Sequence, residues 1–297
     1  MQPILPRIFT TLCKSGILTP KQVSILRYFL KFKRLPDLKS PKDINEKILW
    51  LTFNADTSKW TELADKYLVR NYVRERGLAH LLVKLYGVYK SADEIEWDAL
   101  PDKFVVKTNN GYGTVLLVKN KAGLDIPGIT KKLNRWLDIP FGAVTAEPHY
   151  MRIRPRIIVE ELLENDNDSS TSLIDYKFWC FDGIPRYCFT GNNRNIEHHT
   201  VDFNLYEIAP WKERKDYMSE KFKNEIHVSE PPQLKEMREY AAILSEGFPA
   251  VRVDFYNING KVYFGEMTFT SNAGRMSYFT NDFLLRMGNL IKLKNNL

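Results

Sequence analysis

The chain has 297 residues, of which 44% are hydrophobic and 27% are charged, and it carries a formal net charge of +7 at pH 7. This composition is typical of a folded globular protein with room for more than one lobe, and it excludes an intrinsically disordered chain. No apolar run approaches the roughly 20 residues that cross a bilayer, so no helical membrane span is expected. The positive charge suits a polyanionic partner, and nucleotides, acidic glycans, anionic lipid surfaces and nucleic acids all remain open.

The first segment, residues 1–98, is predicted to be mainly helical. Residues 23–34 form a basic and apolar stretch, which either packs on the main body or rests on an anionic membrane face. Residues 43–51 are typical of a capped helix, because Asp43 stands three positions before Glu46. Residues 65–76 are predicted to form another helix, which Gly77 ends. The amino terminus lacks a long apolar stretch and a small-residue cleavage site, so we expect a cytoplasmic protein.

Strand-rich sequence begins near residue 100. Residues 104–107 and 115–119 are apolar β-type runs, and the polar, glycine-containing residues 108–114 separate them. This order predicts a hairpin, unlike the strand–loop–helix order of common nucleotide-binding loops. The backbone amides around Gly111 and Gly113 are able to close over phosphate groups, with Lys107 as a positive charge beneath them. A plain hairpin turn without a ligand is the alternative.

The middle of the chain is predicted to alternate strands with polar connectors. Residues 157–163 form a buried strand that ends in acids, and residues 165–172 form a polar connector. Residues 175–181 and 185–189 form a second hairpin around an Asp-Gly turn. Residues 192–230 are predicted to be polar and irregular, and residues 234–245 are predicted to form a helix that Gly247 ends.

A hairpin is predicted over residues 251–266, with an acidic residue near the end of each arm. Apolar residues at 251, 253 and 255 alternate with polar ones, which is the pattern of a strand with one buried face. The Asn-Gly pair at 259–260 supplies the turn, so Asp254 and Glu266 stand near the ends of the two arms. A two-residue loop would put these carboxylates on opposite faces. We predict a three-residue loop with Gly260 as a bulge, which puts them on the same face.

Two carboxylates on one face repel each other unless a cation lies between them. Hard Mg²⁺ is the usual cation in such a place. Two solvated acids on an ordinary hairpin are the alternative that this stretch leaves open.

Other chemistries find less support. Cys13, Cys180 and Cys188 lack metal-ligand spacing, and His198-His199 is an adjacent pair in a polar segment, so neither set predicts a zinc site. The chain has no Gly-x-Ser-x-Gly motif, which argues against a serine hydrolase. A glycosyltransferase that uses a sugar nucleotide and a non-catalytic module that binds glycan or RNA both remain as alternatives.

Seven segments, in this order, resemble the ATP-grasp enzymes, most closely the TupA-like branch named for teichuronopeptide biosynthesis. They read INEKILWL, DKYLVR, LPDKFVVKTNNGYG, IVEELL, DYKFWCFDG, GFPAVRVDFYNINGKVYFGEMTFT and GNLIKL. The resemblance implies an α+β ATP-grasp fold, in which two α+β lobes clasp ATP after a helical amino-terminal segment. It implies a helical segment at 1–98, a small lobe at 99–163 and a large lobe at 164–297.

The resemblance also implies roles for single residues. The hairpin tip and nearby lysines would meet the ATP phosphates, and the strand end at 160–163 would meet adenine and ribose. Many ATP-grasp enzymes have an Asn two residues beyond the metal-binding Glu, whereas this chain has Thr268. The implied ATP-binding residues are Lys66, Lys107, Gly111, Tyr112, Gly113, Thr114, Glu160, Glu161, Leu162 and Leu163. The implied metal ligands are Asp254, Glu266, Thr268 and Asn272, and the implied catalytic residues are Lys177, Arg194 and Arg252.

The activity that the resemblance implies is that of a carboxylate–amine ligase. ATP and Mg²⁺ would be its cofactors, and an acyl phosphate would be its intermediate. The branch name implies that an amino acid is joined to a uronic acid of a surface polysaccharide or its precursor. No nucleic-acid partner is expected, and a peripheral contact with the inner membrane face is left open.

Overall fold

The computed structural model describes residues 4–164, 170–195, 198 and 200–293. Residues 165–169 of the expected polar connector and His199 lie outside the described residues. The helices are α1 (Ile4–Lys14), α2 (Pro20–Phe32), α3 (Ile44–Asn54), α4 (Ser58–Ala64), α5 (Val69–Glu75), α6 (Ile126–Leu137), α7 (Phe141–Thr145), α8 (Pro148–Met151), α9 (Leu234–Ser245) and α10 (Asn281–Asn289). The strands are β1 (Leu85–Tyr89), β2 (Phe104–Thr108), β3 (Val115–Val118), β4 (Ile157–Glu161), β5 (Asp175–Phe181), β6 (Ile184–Asn195), β7 (Thr200–Ile208), β8 (Trp211–Glu213), β9 (Ala250–Ile258) and β10 (Lys261–Thr268).

The chain divides into two compact units. Unit 1 contains residues 1–23, 57–74 and 82–163, and unit 2 contains residues 24–56, 75–81 and 164–297. Residues 1–98, which we expected to form one helical segment, are divided between the two units and include strand β1. Helical patterns reveal local structure but not the core against which each helix packs, so the sequence did not indicate this division. None of the described helices is long and apolar enough to cross a bilayer.

Unit 1 is built on a four-stranded antiparallel sheet in the order β1-β4-β2-β3. Strands β2 and β3 pair directly, which confirms the predicted hairpin at 104–119. One face of the sheet packs on α6 through buried residues that include Phe104, Val106, Val159 and Leu133. Because side chains alternate along a strand, Lys107 and Glu160 lie on the other face. The sheet therefore separates its core from its charged residues.

Unit 2 is built on a six-stranded antiparallel sheet in the order β10-β9-β5-β6-β7-β8. The prediction that residues 192–230 are irregular was wrong, because β6 continues to Asn195 and is followed by β7 and β8. Strand β7 has no clean alternation: Asn204, Leu205 and Tyr206 are all buried. The Asn204 amide donates to the carbonyl of Ile226 at 2.7 Å, which allows a polar residue to lie inside the fold.

The hairpin of β9 and β10 has a two-residue turn, so the predicted three-residue loop was wrong. Ile258 pairs with Lys261. Asn259 and Gly260 both have positive φ, 50° and 70°, as a type I′ turn requires. The register shifts at Gly265 instead, so Glu266 pairs with Asp254. The two carboxylates lie on one face as expected, but a bulge inside β10 brings them there rather than the loop.

Several helix predictions were confirmed, with changes at the ends. Asp43 caps α3 by accepting a hydrogen bond from the backbone amide of Glu46 at 2.9 Å, and α9 spans the predicted residues. Helix α5 begins at Val69 rather than at residue 65. The Asp65 carboxylate accepts the backbone amides of Tyr67 and Leu68, and this turn replaces the first part of the predicted helix.

Candidate active site

Three neighbouring strands of unit 2 bring charged side chains to one face of the sheet. Asp254 of β9 pairs with Lys177 of β5 on one side and with Glu266 of β10 on the other. Arg252, two residues before Asp254 on β9, pairs with Thr268. Because positions i and i+2 of a strand share a face, these five side chains lie together.

Arg252 bridges the two facing carboxylates. Its Nε donates to Asp254 Oδ1 at 2.7 Å and its second terminal nitrogen donates to Asp254 Oδ2 at 2.8 Å. The same terminal nitrogen lies 3.0 Å from Glu266 Oε1 and 3.1 Å from Thr268 Oγ1. Lys177 Nζ donates to Asp254 Oδ2 at 2.8 Å. The positive charge between the carboxylates in this structure is therefore a guanidinium, held by bidentate hydrogen bonds.

Asp175 extends the charged set beyond Lys177. Its Oδ2 lies 2.6 Å from a terminal nitrogen of Arg194 and 3.5 Å from Lys177 Nζ. Burial on its own raises the pKa of Asp175, but the charges of Lys177 and Arg194 hold that pKa below its ordinary value. The charge of Asp175, together with burial, raises the pKa of Tyr256 well above its ordinary value. Asp175 is therefore ionised, and both basic neighbours approach the same oxygen of its carboxylate.

The six side chains form an alternating row, which we call the charged row: Arg194, Asp175, Lys177, Asp254, Arg252 and Glu266. Three are basic and three are acidic, so the row is neutral. Asp254 is only 3% exposed, whereas the Glu266 side chain is 37% exposed. The row is thus buried at its centre and reaches solvent at both ends, because the Arg194 side chain is 44% exposed.

Unit 1 has a different arrangement around Glu160. Its carboxylate lies 2.6 Å from Lys107 Nζ and 3.1 Å from a terminal nitrogen of Arg70. A second nitrogen of Arg70 donates to the carbonyl of Val83 at 2.7 Å. One buried acid thus holds two basic groups, and the Lys107 side chain remains 25% exposed.

The hairpin loop at 109–114 is anchored at its base. The buried Asn109 amide donates to Asp65 Oδ2 at 2.8 Å and its oxygen accepts the Arg156 backbone amide at 2.7 Å. Lys66 Nζ donates to the carbonyl of Gly111 at 2.6 Å. A Cβ on Gly111 would lie 2.6 Å from the ring of Phe141, so only glycine fits there without a shift.

The tip of the same loop is open. Tyr112 is 76% exposed and Gly113 has a φ of 75°. At the base of the loop, opposite this tip, the hydroxyls of Thr108 and Thr114 lie 2.6 Å apart and hold the two ends of the loop together. An anchored base with an exposed tip is the arrangement expected of a loop that covers a ligand.

A protein-family model described as TupA-like ATPgrasp matches residues 46–292. The chain belongs to the TupA-like ATP-grasp family. ATP-grasp proteins form an α+β fold family of ATP-dependent ligases that use Mg²⁺. No curated protein matched the chain.

Solved ATP-grasp structures are similar to the chain at low identity. The D-alanine–D-alanine ligase of Bacillus anthracis, complexed with ATP, is 13% identical with a TM-score of 0.46, and the match covers 77% of this chain and 63% of that one. The D-cycloserine synthetase DcsG is 14% identical with a TM-score of 0.45, and the match covers 78% and 70%. The D-alanine–D-alanine ligase of Helicobacter pylori is 15% identical with a TM-score of 0.40, and the match covers 82% and 62%. The chain therefore spans about two thirds of the length of these ligases.

The oxygen atoms of this ATP-grasp chain suit a hard cation. Asp254 and Glu266 face each other, and the Thr268 hydroxyl lies 3.2 Å from Glu266 Oε1. Mg²⁺ takes oxygen ligands and is commonly held by one or two carboxylates plus substrate phosphates. Within the described residues no group of three or more His, Cys, Asp or Glu side chains is placed to hold a metal. Two facing carboxylates and a hydroxyl are oxygen donors of the kind that Mg²⁺ takes, and in this structure the guanidinium of Arg252 lies between them.

The structure separates Asn272 from the other expected metal ligands. Its side chain is exposed, and its amide donates to the carbonyl of Arg275 within the same turn, Ser271–Gly274 and the residue after it. Ser271 is the residue of this turn that contacts the charged row, since Arg252 donates to its hydroxyl at 2.9 Å. Metal binding by Asn272 stays a prediction, because its described hydrogen bond lies within its own turn and not at the two carboxylates.

Sequence reasoning missed some members of both sites. Asp175 was placed on a strand but given no role, although its position two residues before Lys177 was the signal that both share a face. Arg70 pairs with Glu160 across 90 positions in the chain, and no local pattern indicates such a contact. Glu161 is exposed, and Leu162 and Leu163 are half-buried beyond the end of β4. The contacts of these three with a nucleotide stay predictions.

Proposed function

We propose that the protein is an ATP-dependent ligase that joins a carboxylate to an amine through an acyl phosphate. The charged row of unit 2 is the observation that carries this proposal, because it combines facing carboxylates with a lysine and two arginines on one sheet face. A carboxylate is a poor acylating agent, since its leaving group would be oxide. Phosphoryl transfer provides a good leaving group, and it needs positioned positive charge more than it needs a nucleophilic side chain.

In this proposal the residues of unit 1 bind ATP. Lys107 and Lys66 supply positive charge near the phosphates, and the loop that contains Gly111, Tyr112, Gly113 and Thr114 covers them. The strand end from Glu160 to Leu163 contacts adenine and ribose. The net positive charge around Glu160 and the exposed loop tip support this assignment.

The residues of unit 2 perform the chemistry. Asp254 and Glu266, assisted by Thr268, would hold Mg²⁺, which neutralises the charge that develops on the phosphate oxygens. Lys177 stabilises the phosphoryl group during transfer. Arg252 and Arg194 orient the substrate carboxylate and later the acyl phosphate. Asn272, whose amide is bonded within its own turn, would join this metal site after the turn rearranges.

The reaction proceeds in two steps. A carboxylate oxygen attacks the γ-phosphorus of ATP, the bond to the bridging oxygen breaks, and ADP leaves. The amine nitrogen then attacks the carbonyl carbon of the acyl phosphate, phosphate leaves, and the nitrogen loses a proton to give the amide. Acyl phosphates hydrolyse readily, so a loop that excludes water protects the intermediate.

We propose a uronic acid of a surface polysaccharide or its precursor as the carboxylate and an amino acid as the amine. The name of the TupA-like branch supports this choice. The three cysteines are free thiols, which is usual for proteins of the cytoplasm, where ATP is available. Contact with the inner membrane face depends on other residues, those of the amino-terminal segment.

An ADP-release assay with panels of uronates and amino acids tests the proposal. We expect ADP formation that requires both substrates and Mg²⁺, with amide product detected by mass spectrometry. Glu266→Gln and Lys107→Ala should each abolish turnover and leave the fold intact, whereas Glu239→Gln and Lys119→Ala, both at exposed positions, should not. Full activity in either site variant would overturn the site assignment. Transfer from a UDP-sugar without ATP would instead show a glycosyltransferase.

A further inference from the structure

The amino-terminal segment holds the entire net charge of the chain. Residues 1–36 contain seven of the 43 basic residues and none of the 36 acidic residues. Residues 37–297 are therefore neutral overall. A charge asymmetry of this kind indicates a surface that meets a polyanion.

Helix α2 presents apolar side chains to solvent. Leu26, Phe29 and Leu30 are 40%, 44% and 42% exposed, and they share one face because they are three and four positions apart. The opposite face buries Ser24 and Tyr28. Helices of globular proteins normally turn their apolar side inward. Helix α2 therefore carries apolar residues on its exposed face in addition to those that pack in the core.

Basic residues lie at the carboxyl end of this helix. Lys31 and Lys33 are exposed, and Leu35, just past the end of α2, is 65% exposed. Arg34 is already paired with Asp43 and Glu46, which ties the end of the helix to α3. We define the α2 patch as Leu26, Phe29, Leu30, Lys31, Lys33 and Leu35.

The rest of residues 1–36 also exposes apolar and basic side chains. Ile8 and Ile17 are 47% and 69% exposed, so six of the twelve large apolar side chains that are exposed in the described chain belong to the first 36 residues. Lys14 and Lys21 are exposed as well. Exposed apolar residues and exposed lysines thus occur together along this stretch.

We propose that the α2 patch docks on an anionic lipid bilayer. The apolar side chains enter the boundary between headgroups and acyl chains, and the lysines meet lipid phosphates. Charge complementarity favours this occupant over a symmetric contact between two copies, because such a contact would bring two acid-free basic segments together. The proposal rests on residues outside both candidate sites and is independent of the reaction.

Vesicle flotation with the full chain tests the proposal. We expect binding to phosphatidylcholine vesicles that contain about one third phosphatidylglycerol, little binding to pure phosphatidylcholine, and loss of binding at about 0.5 M salt, where charges are screened. The combined change Leu26→Gln, Phe29→Gln and Leu30→Gln should weaken binding about tenfold or more. Lys31→Gln with Lys33→Gln should weaken it and flatten its salt dependence.

Matched controls use exposed residues elsewhere. Ile243→Gln with Leu285→Gln, and Lys131→Gln with Lys132→Gln, should leave vesicle binding unchanged. All variants alter exposed side chains, and a thermal unfolding curve like that of the unmodified protein verifies their fold. Equal binding to neutral vesicles, equal losses in the controls, or no binding at all would overturn the proposal. Self-association in solution that the triple variant abolishes, without vesicle binding, would show a contact between copies instead.

Discussion

In unit 2, three basic and three acidic side chains alternate along one sheet face, whereas in unit 1 a single acid, Glu160, holds Lys107 and Arg70. The charged row is neutral before any ligand binds, and the Glu160 cluster has an excess of positive charge. A neutral row is suited to stabilise charge that moves during a reaction. A positive cluster beside an open loop is suited to hold an anion that arrives from solvent.

The largest effect should follow removal of the central cation of the row. Arg252→Gln would leave the buried Asp254 with one basic partner and two carboxylates facing each other. Breaking a buried ion pair in this way costs about 3–5 kcal/mol, and turnover should fall to background. Chemical denaturation with and without Mg²⁺ measures the effect.

Mg²⁺ distinguishes two explanations of that loss. If the facing carboxylates form the metal site, Mg²⁺ should restore part of the stability of Arg252→Gln, because it replaces the missing positive charge. An equal loss of stability in the presence and absence of Mg²⁺ would show that the carboxylates bind only arginine. Arg238→Gln, at an exposed position on α9, is the matched control.

Acid should act on the two units in different pH ranges. Burial, with a smaller effect of Arg152, lowers the pKa of His149 in unit 1 to about 3. The unfolded chain binds a proton at this residue near pH 6.5, so stability should fall as pH drops from about 6.5 towards 3, by up to about 1.4 kcal/mol per unit. In unit 2 the pKa of Asp175 is lowered, so its contribution is present above the ordinary range of Asp and is lost only at lower pH.

Denaturation curves across this pH range check that difference. His149→Gln should flatten the slope between pH 6.5 and 4, whereas His80→Gln, at an exposed position, should not. Hydrogen exchange should report the first loss of protection in peptides of unit 1. Earlier loss in peptides of β5 and β9 would contradict the assignment.

The position of Lys177 should depend on Asp175. Asp175→Asn removes the charge between Lys177 and Arg194 but keeps the shape of the side chain. We expect kcat to fall about tenfold with little change in the KM for ATP, because the change affects the reacting group and not nucleotide binding. Asp182→Asn, in the exposed turn after β5, is the control. A rise in the KM for ATP with unchanged kcat would place Asp175 in nucleotide binding instead.

The smallest effect should come from the loop tip in unit 1. Gly113 has a φ of 75°, a region that costs other residues about 1–2 kcal/mol. Gly113→Ala should therefore lower the free energy of unfolding by up to this amount and, because the shape of the tip changes, weaken ATP binding several-fold. Gly123→Ala, an exposed glycine of the same unit without a positive φ, should leave ATP affinity unchanged. Equal affinities of both variants would mean that the tip does not cover the nucleotide.

The sequence predicted the strands of the site better than it predicted their register. Alternation identified β9 and the face that holds Arg252 and Asp254, because a half-buried strand repeats every two residues. The bulge at Gly265 did leave a signal that was overlooked, since the buried apolar positions of β10 change phase from Val262 and Phe264 to Met267. The Asn-Gly pair was itself the signal of a two-residue turn.

Contacts between residues far apart in the chain were the other feature that the sequence did not predict. Lys107 was assigned to phosphate and Glu160 to ribose, and their mutual contact depends on the register between β2 and β4, which no local pattern encodes. Strand β7 was missed although residues 201–205 alternate between apolar and polar side chains, which was itself a signal of a strand. A metal was expected between the carboxylates, and the guanidinium there comes from a residue two positions away on the same strand.

The most direct test is a thermal-shift titration with ATP, with and without Mg²⁺, on the unmodified protein and on Glu266→Gln. A ligand at about a hundred times its dissociation constant adds roughly 2.7 kcal/mol to the free energy of unfolding. We predict a stabilisation by ATP that requires Mg²⁺ and that Glu266→Gln removes. No stabilisation by ATP, an equal one in Glu266→Gln, or one by UDP-sugars alone would contradict the ligase and its metal site.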